Sequence, residues 1–270
     1  MFHSLRRHWP EYLIEAAGLG AFMISACLFT ALFELPDSPI RHAIQNGMLR
    51  RVLIGIAMGL TAIAIIYSRW GKRSGAHINP ATTFTFWRLG KIETPDAVGY
   101  ATAQFGGAVV GVLVSAWLLG ARVADPSVNY VTTVPGAGWP VVFLAELSMA
   151  FGMMLMVLIC SNHRGLAPYT GLFAGLLVAI YISLEAPISG MSINPARTFG
   201  SALPSWIWSG FWIYLFAPPA GMLLAAEVYS KARARAEIHC AKLHHTNNER
   251  CIFRCNFGAL LSAESAAASS

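Results

Sequence analysis

The feature that most constrains this chain is an eight-residue segment that occurs twice. Residues 74–81 read Ser-Gly-Ala-His-Ile-Asn-Pro-Ala and residues 189–196 read Ser-Gly-Met-Ser-Ile-Asn-Pro-Ala, so six of eight positions are identical. Asn is a preferred N-cap and Pro fits the first helical turn, so each copy predicts that a helix begins there. The helical runs that follow, 82–88 and 196–203, have only about two turns and cannot cross a hydrocarbon layer roughly 30 Å thick.

The composition indicates that the solvent around this chain is a lipid bilayer. Of 270 residues, 56% are hydrophobic and 12% are charged, and the mean hydropathy is +0.54. A soluble domain carries about 25% charged residues, which argues against a soluble enzyme. Residues 12–33 contain a single charge, Glu15, and this run is longer than the core of a signal peptide. The net charge of +6 is explained by basic loops on one side of a membrane, without a nucleic-acid partner.

The hydrophobic pattern predicts an all-α membrane protein with six transmembrane helices and two re-entrant half-helices. We expect a short N-terminal arm at 1–10, a membrane domain at 11–230 and a polar tail at 231–270. The two halves of the membrane domain cover about 11–119 and 141–230. The predicted spans are about 11–34, 52–68, 96–119, 141–160, 166–184 and 210–230.

The halves repeat each other, and three spans per half require the second half to be inverted in the membrane. Glu15 in the first span matches Glu146 in the fourth. A Gly-x3-Gly pair at 55–59 in the second span matches one at 171–175 in the fifth, and such pairs let helices approach closely. With both termini in the cytoplasm, fourteen of the nineteen Lys and Arg residues lie on the cytoplasmic side, as the positive-inside rule requires.

This arrangement predicts a pore. Irregular backbone is tolerated at membrane depth only where it is buried in protein or lines water. The two half-helices direct their positive N-terminal ends at one another, each equivalent to about +0.5 charge, and so disfavour cations and protons. Free loop carbonyls and the Asn79 and Asn194 amides favour a small permeant that both donates and accepts hydrogen bonds. The loop residues expected to line the pore with their backbone are Gly75, Ala76, His77, Ile78, Gly190, Ser192 and Ile193.

Two roles are open for Glu15 and Glu146. They can accept hydrogen bonds from the loop amides and support the loops, or an intramembrane carboxylate can couple protons to transport. Their equivalent positions in the two halves favour the structural role. His77 likewise either forms part of the cytoplasmic vestibule wall or gates the pore by protonation.

These motifs resemble the aquaporin, or major intrinsic protein, family over roughly residues 11–229. The resemblance rests on two Asn-Pro-Ala boxes in one chain, Asn79-Pro80-Ala81 and Asn194-Pro195-Ala196, the second continuing as Arg197-Thr198-Phe199-Gly200-Ser201-Ala202. It implies the aquaporin fold, no cofactor and no enzymatic activity. It also implies a homotetramer in the cell (inner or plasma) membrane that passes water or small neutral solutes, one pore per subunit.

The resemblance also implies a narrow point formed by Met58, Ile182, Met191 and Arg197. Strict water channels of the family have Phe and His at the positions of Met58 and Ile182, so this chain departs from them. Two thioethers and an Ile give an apolar, deformable wall. We therefore expect water together with small uncharged solutes such as glycerol, urea or metalloid hydroxides. The alternative is that Met58 and Ile182 face lipid or the protein core.

The tail carries an unusual group of potential metal ligands. Cys and neutral His are the ligands that zinc prefers, but their spacing here is not that of a standard finger, and a disordered basic tail is the alternative. We make no firm metal assignment from sequence. The residues of this group are Cys240, His244, His245, Cys251 and Cys255.

Two other classes of protein are alternatives to a channel. A secondary active transporter also uses inverted repeats with broken helices, but it needs a coupling-ion site, for which the spans offer only Glu15, Glu146 and Glu185. A membrane enzyme needs a nucleophile–base pair or a metal cluster within the spans, and the sequence offers neither.

Overall fold

A computed structural model describes residues 2–232, 238–245 and 247–258. The described residues form ten α-helices and three short 3-10 turns. The α-helices are α1 Phe2–Glu34, α2 Pro39–Ala43, α3 Gly47–Tyr67, α4 Arg69–Ser74, α5 Pro80–Arg88, α6 Thr94–Leu119, α7 Trp139–Ser161, α8 Thr170–Ser189, α9 Pro195–Ser205 and α10 Phe211–Ala232. The 3-10 turns are Gly120–Ala124, Asn129–Val131 and Ala167–Tyr169.

Six of the described helices, α1, α3, α6, α7, α8 and α10, are long and apolar enough to cross a membrane. The predicted class, six spans with two half-helices, is therefore confirmed. The predicted boundaries differ from the observed ones by a few residues, except at the N-terminus. There, residues 2–10, which were assigned to a separate arm, are helical and form the start of α1 without a break.

The two halves pack in the same way. In the first half α1 lies along α6, and in the second α7 lies along α10. Small residues make both contacts close: a Cβ on Gly107 of α6 would meet Ala16 O at 2.1 Å, and one on Gly221 of α10 would meet Leu147 O at 2.2 Å. Neither glycine tolerates a side chain without separating its helix pair.

The halves are joined mainly by α3 against α8. A Cβ on Gly59 would lie 2.5 Å from Gly175 O, and a Cβ on Gly175 would lie 2.6 Å from Gly59 O. The backbones therefore touch where the two Gly-x3-Gly pairs cross, as small residues allow between membrane helices.

The half-helices α5 and α9 have nine and eleven residues. Asn79 caps α5 by accepting the Ala81 N–H at 2.9 Å, and Asn194 caps α9 by accepting the Ala196 N–H at 3.0 Å. At 1.5 Å per residue these helices rise about 14 and 17 Å, roughly half the hydrocarbon thickness. Each is therefore a half-span that begins within the protein.

The tail packs against the face of the bundle where α1 begins and α10 ends, which we call the terminal face. Its described part, 238–245 and 247–258, has irregular backbone until a helical turn starts at Phe257. Arg254 forms an ion pair with Glu93 at 2.7 Å, and the backbone N–H of His239 donates to Asn162 Oδ1 at 2.7 Å. The described part of the tail is thus a packed element of the fold.

Candidate functional site

Both re-entrant loops have the same unusual backbone. Ala76 and Ile78 in the first loop and Met191 and Ile193 in the second have φ between 40° and 53°. This left-handed conformation is strained for a β-branched residue. Because it recurs at equivalent positions, it follows from how both loops are held.

In the first loop a buried carboxylate holds the backbone. Glu15 Oε1 accepts the N–H of His77 at 3.1 Å, and Glu15 Oε2 accepts the N–H of Ile78 at 2.6 Å. The Ser74 hydroxyl donates to Oε1 at 2.7 Å, and the Gln104 amide donates to Oε2 at 2.8 Å. Glu15 is therefore fully engaged by protein donors.

In the second loop Glu146 has the same role. Its Oε1 accepts the N–H of Ser192 at 2.8 Å and the Ser189 hydroxyl at 2.6 Å, and its Oε2 accepts the N–H of Ile193 at 2.6 Å. Both Glu15 and Glu146 are completely buried. This geometry is that of a structural support for each loop.

Sequence reasoning missed five residues of this support, one of which is Gln104, the donor to Glu15 described above. Ser74 and Ser189 bind the carboxylates, as given above. The Tyr100 hydroxyl donates to Ser74 O at 2.6 Å, and the Tyr214 hydroxyl donates to Ser189 O. The two serines begin the repeated segments, and the two tyrosines lie at similar distances beyond each Asn-Pro-Ala, so a position-by-position alignment of the halves would have found them.

The two loops meet at their asparagines. Asn79 Nδ2 donates to Ile193 O at 2.8 Å, and Asn194 Nδ2 donates to Ile78 O at 2.8 Å, so each amide crosses to the other loop. An amide nitrogen carries two N–H groups, so each keeps a second donor. Both asparagines line a cavity, into which that second donor can point.

This cavity has a volume of about 560 Å³ and reaches from the face opposite the terminal face down to the tail. Its wall includes Glu34 and Arg51 at one end and Leu243 of the tail at the other. The predicted residues that line it are Met58, Ala76, His77, Ile78, Asn79, Ile182, Gly190, Met191, Ser192, Ile193, Asn194 and Arg197.

Some of the predicted residues lie elsewhere. Gly75 is not in the cavity wall, because it lies under the tail: its carbonyl accepts the Leu243 N–H at 3.2 Å, and a Cβ there would meet the Phe253 ring at 2.8 Å. The prediction that Gly75 lines the pore does not match this packing. The Pro and Ala residues of the two boxes form the first turns of α5 and α9 behind the asparagines. These are Pro80, Ala81, Pro195 and Ala196.

The four residues expected at the narrow point all lie in the cavity wall. Met58 is only 2% exposed, and neither it nor Ile182 faces only lipid. Arg197 brings the positive charge to this wall, and its guanidinium donates to Thr133 Oγ1. The cavity wall thus contains these three apolar side chains together with the Arg197 cation.

At the terminal face the cavity ends against the tail. The His77 ring lies between Phe86 and Phe253, with ring centroids 5.3 and 5.4 Å away. Its Nε2 is 2.8 Å from Ala241 O. Loop and tail are therefore in direct contact where Leu243 reaches the cavity.

The tail ligands divide into two groups. Cys240, His245, Cys251 and Cys255 converge, with their ligand atoms all within 4.8 Å of one another. His244 is not part of this cluster, because its ring packs against Tyr67 at 4.9 Å. The prediction that included His244 is corrected by this packing.

Comparison with known proteins identifies the family. The sequence profile described as "Major intrinsic protein" matches residues 8–229, most of the chain. The chain belongs to the major intrinsic protein family. A curated family relative, "Probable aquaporin AqpM" of Archaeoglobus fulgidus, is 36% identical over 226 residues, covering 81% of this chain and 92% of the relative. "Glycerol uptake facilitator protein-like 6" of Lactiplantibacillus plantarum is 34% identical over 176 residues, covering 64% of this chain and 81% of the relative.

A solved structure supports the fold of this family member. The aquaglyceroporin from Plasmodium falciparum superposes with a TM-score of 0.67 at 22% sequence identity. The superposition covers 83% of this chain and 96% of that one. At this identity the likeness establishes the arrangement of helices and half-helices.

Proposed function

We propose that this protein is a passive membrane channel, and not an enzyme, for water and small uncharged solutes. The observation that carries the proposal is the pair of crossed asparagine amides inside a cavity that extends from one face of the bundle to the tail on the other. Two relatives described as aquaporin and glycerol uptake facilitator support the same class of permeant.

The chemistry of the cavity favours neutral molecules. Donors are offered by Asn79 and Asn194, acceptors by the loop carbonyls, and the N-termini of α5 and α9 add partial positive charge at the same level. Arg197 adds a full positive charge to the wall. A cation that has lost its hydration shell is repelled there, and a proton meets the same barrier.

The wall composition favours small solutes in addition to water. Met58, Ile182 and Met191 contribute apolar surface to the wall that also carries Arg197, and methionine adapts its shape readily. A polyol or an amide fits such a wall because its carbons meet the thioethers while its polar groups meet Arg197. The permeants we propose are glycerol, urea or metalloid hydroxides.

We further propose that the protein resides in the cell (inner or plasma) membrane with both termini in the cytoplasm. The excess of Lys and Arg on the terminal face supports this orientation. Trp117 and Trp206, 82% and 75% exposed, suit the membrane–water interface at the opposite face, where tryptophan is enriched. Family resemblance supports a homotetramer in which every subunit has its own pore.

The alternative function is secondary active transport, and vesicle experiments separate the two. Protein reconstituted in liposomes is subjected to an osmotic gradient, and shrinkage or solute uptake is followed by light scattering with water, glycerol, urea and arsenite. A channel gives fast volume changes that are the same with and without a proton or sodium gradient. Solute uptake that stops when the ion gradient is removed would support the transporter instead.

A further inference from the structure

The side chains of Cys240, His245, Cys251 and Cys255 have the composition of a structural zinc site. Three cysteines and one histidine are a common tetrahedral ligand set for Zn²⁺. All four ligand atoms lie within 4.8 Å of one another. A Zn–S bond of about 2.3 Å puts two sulfurs on a tetrahedral ion roughly 3.8 Å apart, and the Cys240 and Cys251 sulfurs are 3.6 Å apart.

A disulfide does not explain this cluster. The cysteines are free, and 3.6 Å far exceeds the bond length of about 2.05 Å that a disulfide requires. The fourth ligand is also in place, since His245 Nε2 lies 3.0 Å from Cys255 Sγ. The His245 ring is held by stacking on Phe257 at 4.4 Å. An oriented imidazole among three thiols suits a metal ion better than it suits a redox pair.

The surroundings of the cluster favour an anionic centre. The Phe257 N–H donates to Cys255 Sγ at 3.5 Å, a contact that stabilises a thiolate. Lys242, two positions after Cys240, is only 1% exposed and so brings a buried ammonium group to the same part of the tail. Three thiolates and a neutral imidazole around Zn²⁺ carry a net charge of −1, which the Lys242 ammonium balances.

The cluster also lies in the part of the tail that contacts the membrane domain, so a bound metal ion would act on that contact. Lys242 Nζ donates to the carbonyls of Glu249 and Arg250 at 3.0 and 2.8 Å, which links the segments 238–245 and 247–258 of the tail. Leu243, next to it, reaches the cavity, and Phe253 covers His77. A largely irregular segment loses much conformational entropy on folding, and a metal ion is a common means of ordering such small units.

We propose that Cys240, His245, Cys251 and Cys255 bind one Zn²⁺ ion and that this ion fastens the tail across the terminal-face mouth of the cavity. Binding releases the thiol protons and forms three Zn–S bonds and one Zn–N bond, with no change of oxidation state. The proposal concerns binding and tail order, and it does not require the cavity to conduct.

Metal content of the full-length protein tests the site. Purified protein in detergent is kept reduced, dialysed against Zn²⁺ or Co²⁺, and analysed for metal per chain. We expect one Zn²⁺ per chain, and with Co²⁺ a tetrahedral absorption spectrum with thiolate charge-transfer bands. Cys251→Ser and Cys255→Ser should each weaken binding by at least about tenfold, whereas Cys27→Ala, which changes a buried cysteine of α1, should leave it unchanged.

Hydrogen exchange of the same protein tests the fastening. Removing the metal with a chelator should speed exchange of the amides of residues 239–245 at least tenfold while exchange in α1 is unchanged. In the metal analysis, the proposal would be overturned by no metal in the reduced protein, by an octahedral cobalt spectrum, or by full binding in the Cys251→Ser/Cys255→Ser double variant. In the exchange experiment, it would be overturned if the chelator left the exchange rates of the tail amides unchanged. Binding of arsenite in place of Zn²⁺ would overturn the assignment of the ion. None of these measurements depends on permeation. The zinc proposal can therefore be overturned while the proposed channel function stands, and the reverse also holds.

Discussion

The two re-entrant loops share one supporting framework, yet they face different surroundings. In the first loop His77 points to the tail, and Thr82 follows the Asn-Pro-Ala box. In the second loop Ser192 occupies the position of His77, and Arg197 occupies that of Thr82. The framework repeats because both loops must hold the same strained backbone. The surroundings differ because the second loop is followed by the Arg197 cation, whereas the first loop is covered by the tail.

The largest expected effect tests the shared framework. Glu15→Ala or Glu146→Ala leaves two backbone N–H groups of the re-entrant loop without their acceptor, which costs about 2–6 kcal/mol. We expect a similar, large fall in the thermal unfolding midpoint of the detergent-solubilised protein for both. Glu227→Ala on the exposed side of α10 is the matched control. If only one of the two variants were destabilised, the halves would not be equivalent.

The next effect concerns the contact of α3 with α8, which joins the two halves. Gly59→Leu forces α3 away from α8 at the backbone contact with Gly175, and overpacking of this kind typically costs about 1–3 kcal/mol. Gly106→Leu on α6, where a Cβ meets nothing within 4 Å, should cost far less. The yield and melting temperature of monodisperse protein measure both. Equal tolerance at the two positions would contradict the close crossing.

The third prediction concerns the charge that follows the second Asn-Pro-Ala box and is absent after the first. Arg197→Val removes a full charge from the cavity wall, so leakage of small cations from vesicles should rise by about tenfold or more, because a unit charge at close range in a protein contributes several kcal/mol. Thr82→Val at the matched position of the first loop should leave cation leakage within about twofold, since it changes no charge. Similar leakage in both variants would mean that Arg197 does not set the selectivity.

The smallest effect concerns the covered mouth. Phe253→Ala removes the ring that stacks on His77, and an aromatic pair contributes about 0.5–1.5 kcal/mol. The ratio of covered to uncovered molecules should therefore fall by about two- to tenfold, and water permeability in reconstituted vesicles should rise. Asn248→Ala, an exposed change in the same segment, is the control. A lower permeability in Phe253→Ala would contradict a cover formed by the tail.

The sequence predicted the architecture because its main determinants are local or periodic. Span lengths follow from apolar runs, and the starts of the half-helices follow from Asn-Pro at 79–80 and 194–195, whose side chains cap the helices as expected. The inverted repeat followed from an odd number of spans per half. These features do not depend on knowing which residues touch.

Contacts between distant segments could not be predicted in the same way. Gly75 was expected to line the pore, but residues more than 160 positions later pack over it. The hydroxyls of Tyr100 and Tyr214 bond to the Ser74 and Ser189 carbonyls, and only a position-by-position alignment of the two halves would have pointed to them. The selection of His245 over His244 for the cysteine cluster depends on how the tail backbone turns.

The proposed channel function depends most on a water-filled passage between the two loops. The most direct test is the rate at which vesicles containing the protein shrink in an osmotic gradient, measured over a range of temperatures. A wet passage through Asn79 and Asn194 predicts fast shrinkage with a shallow temperature dependence, close to that of water itself. A steep dependence like that of protein-free lipid, or shrinkage no faster than in protein-free vesicles, would contradict the account.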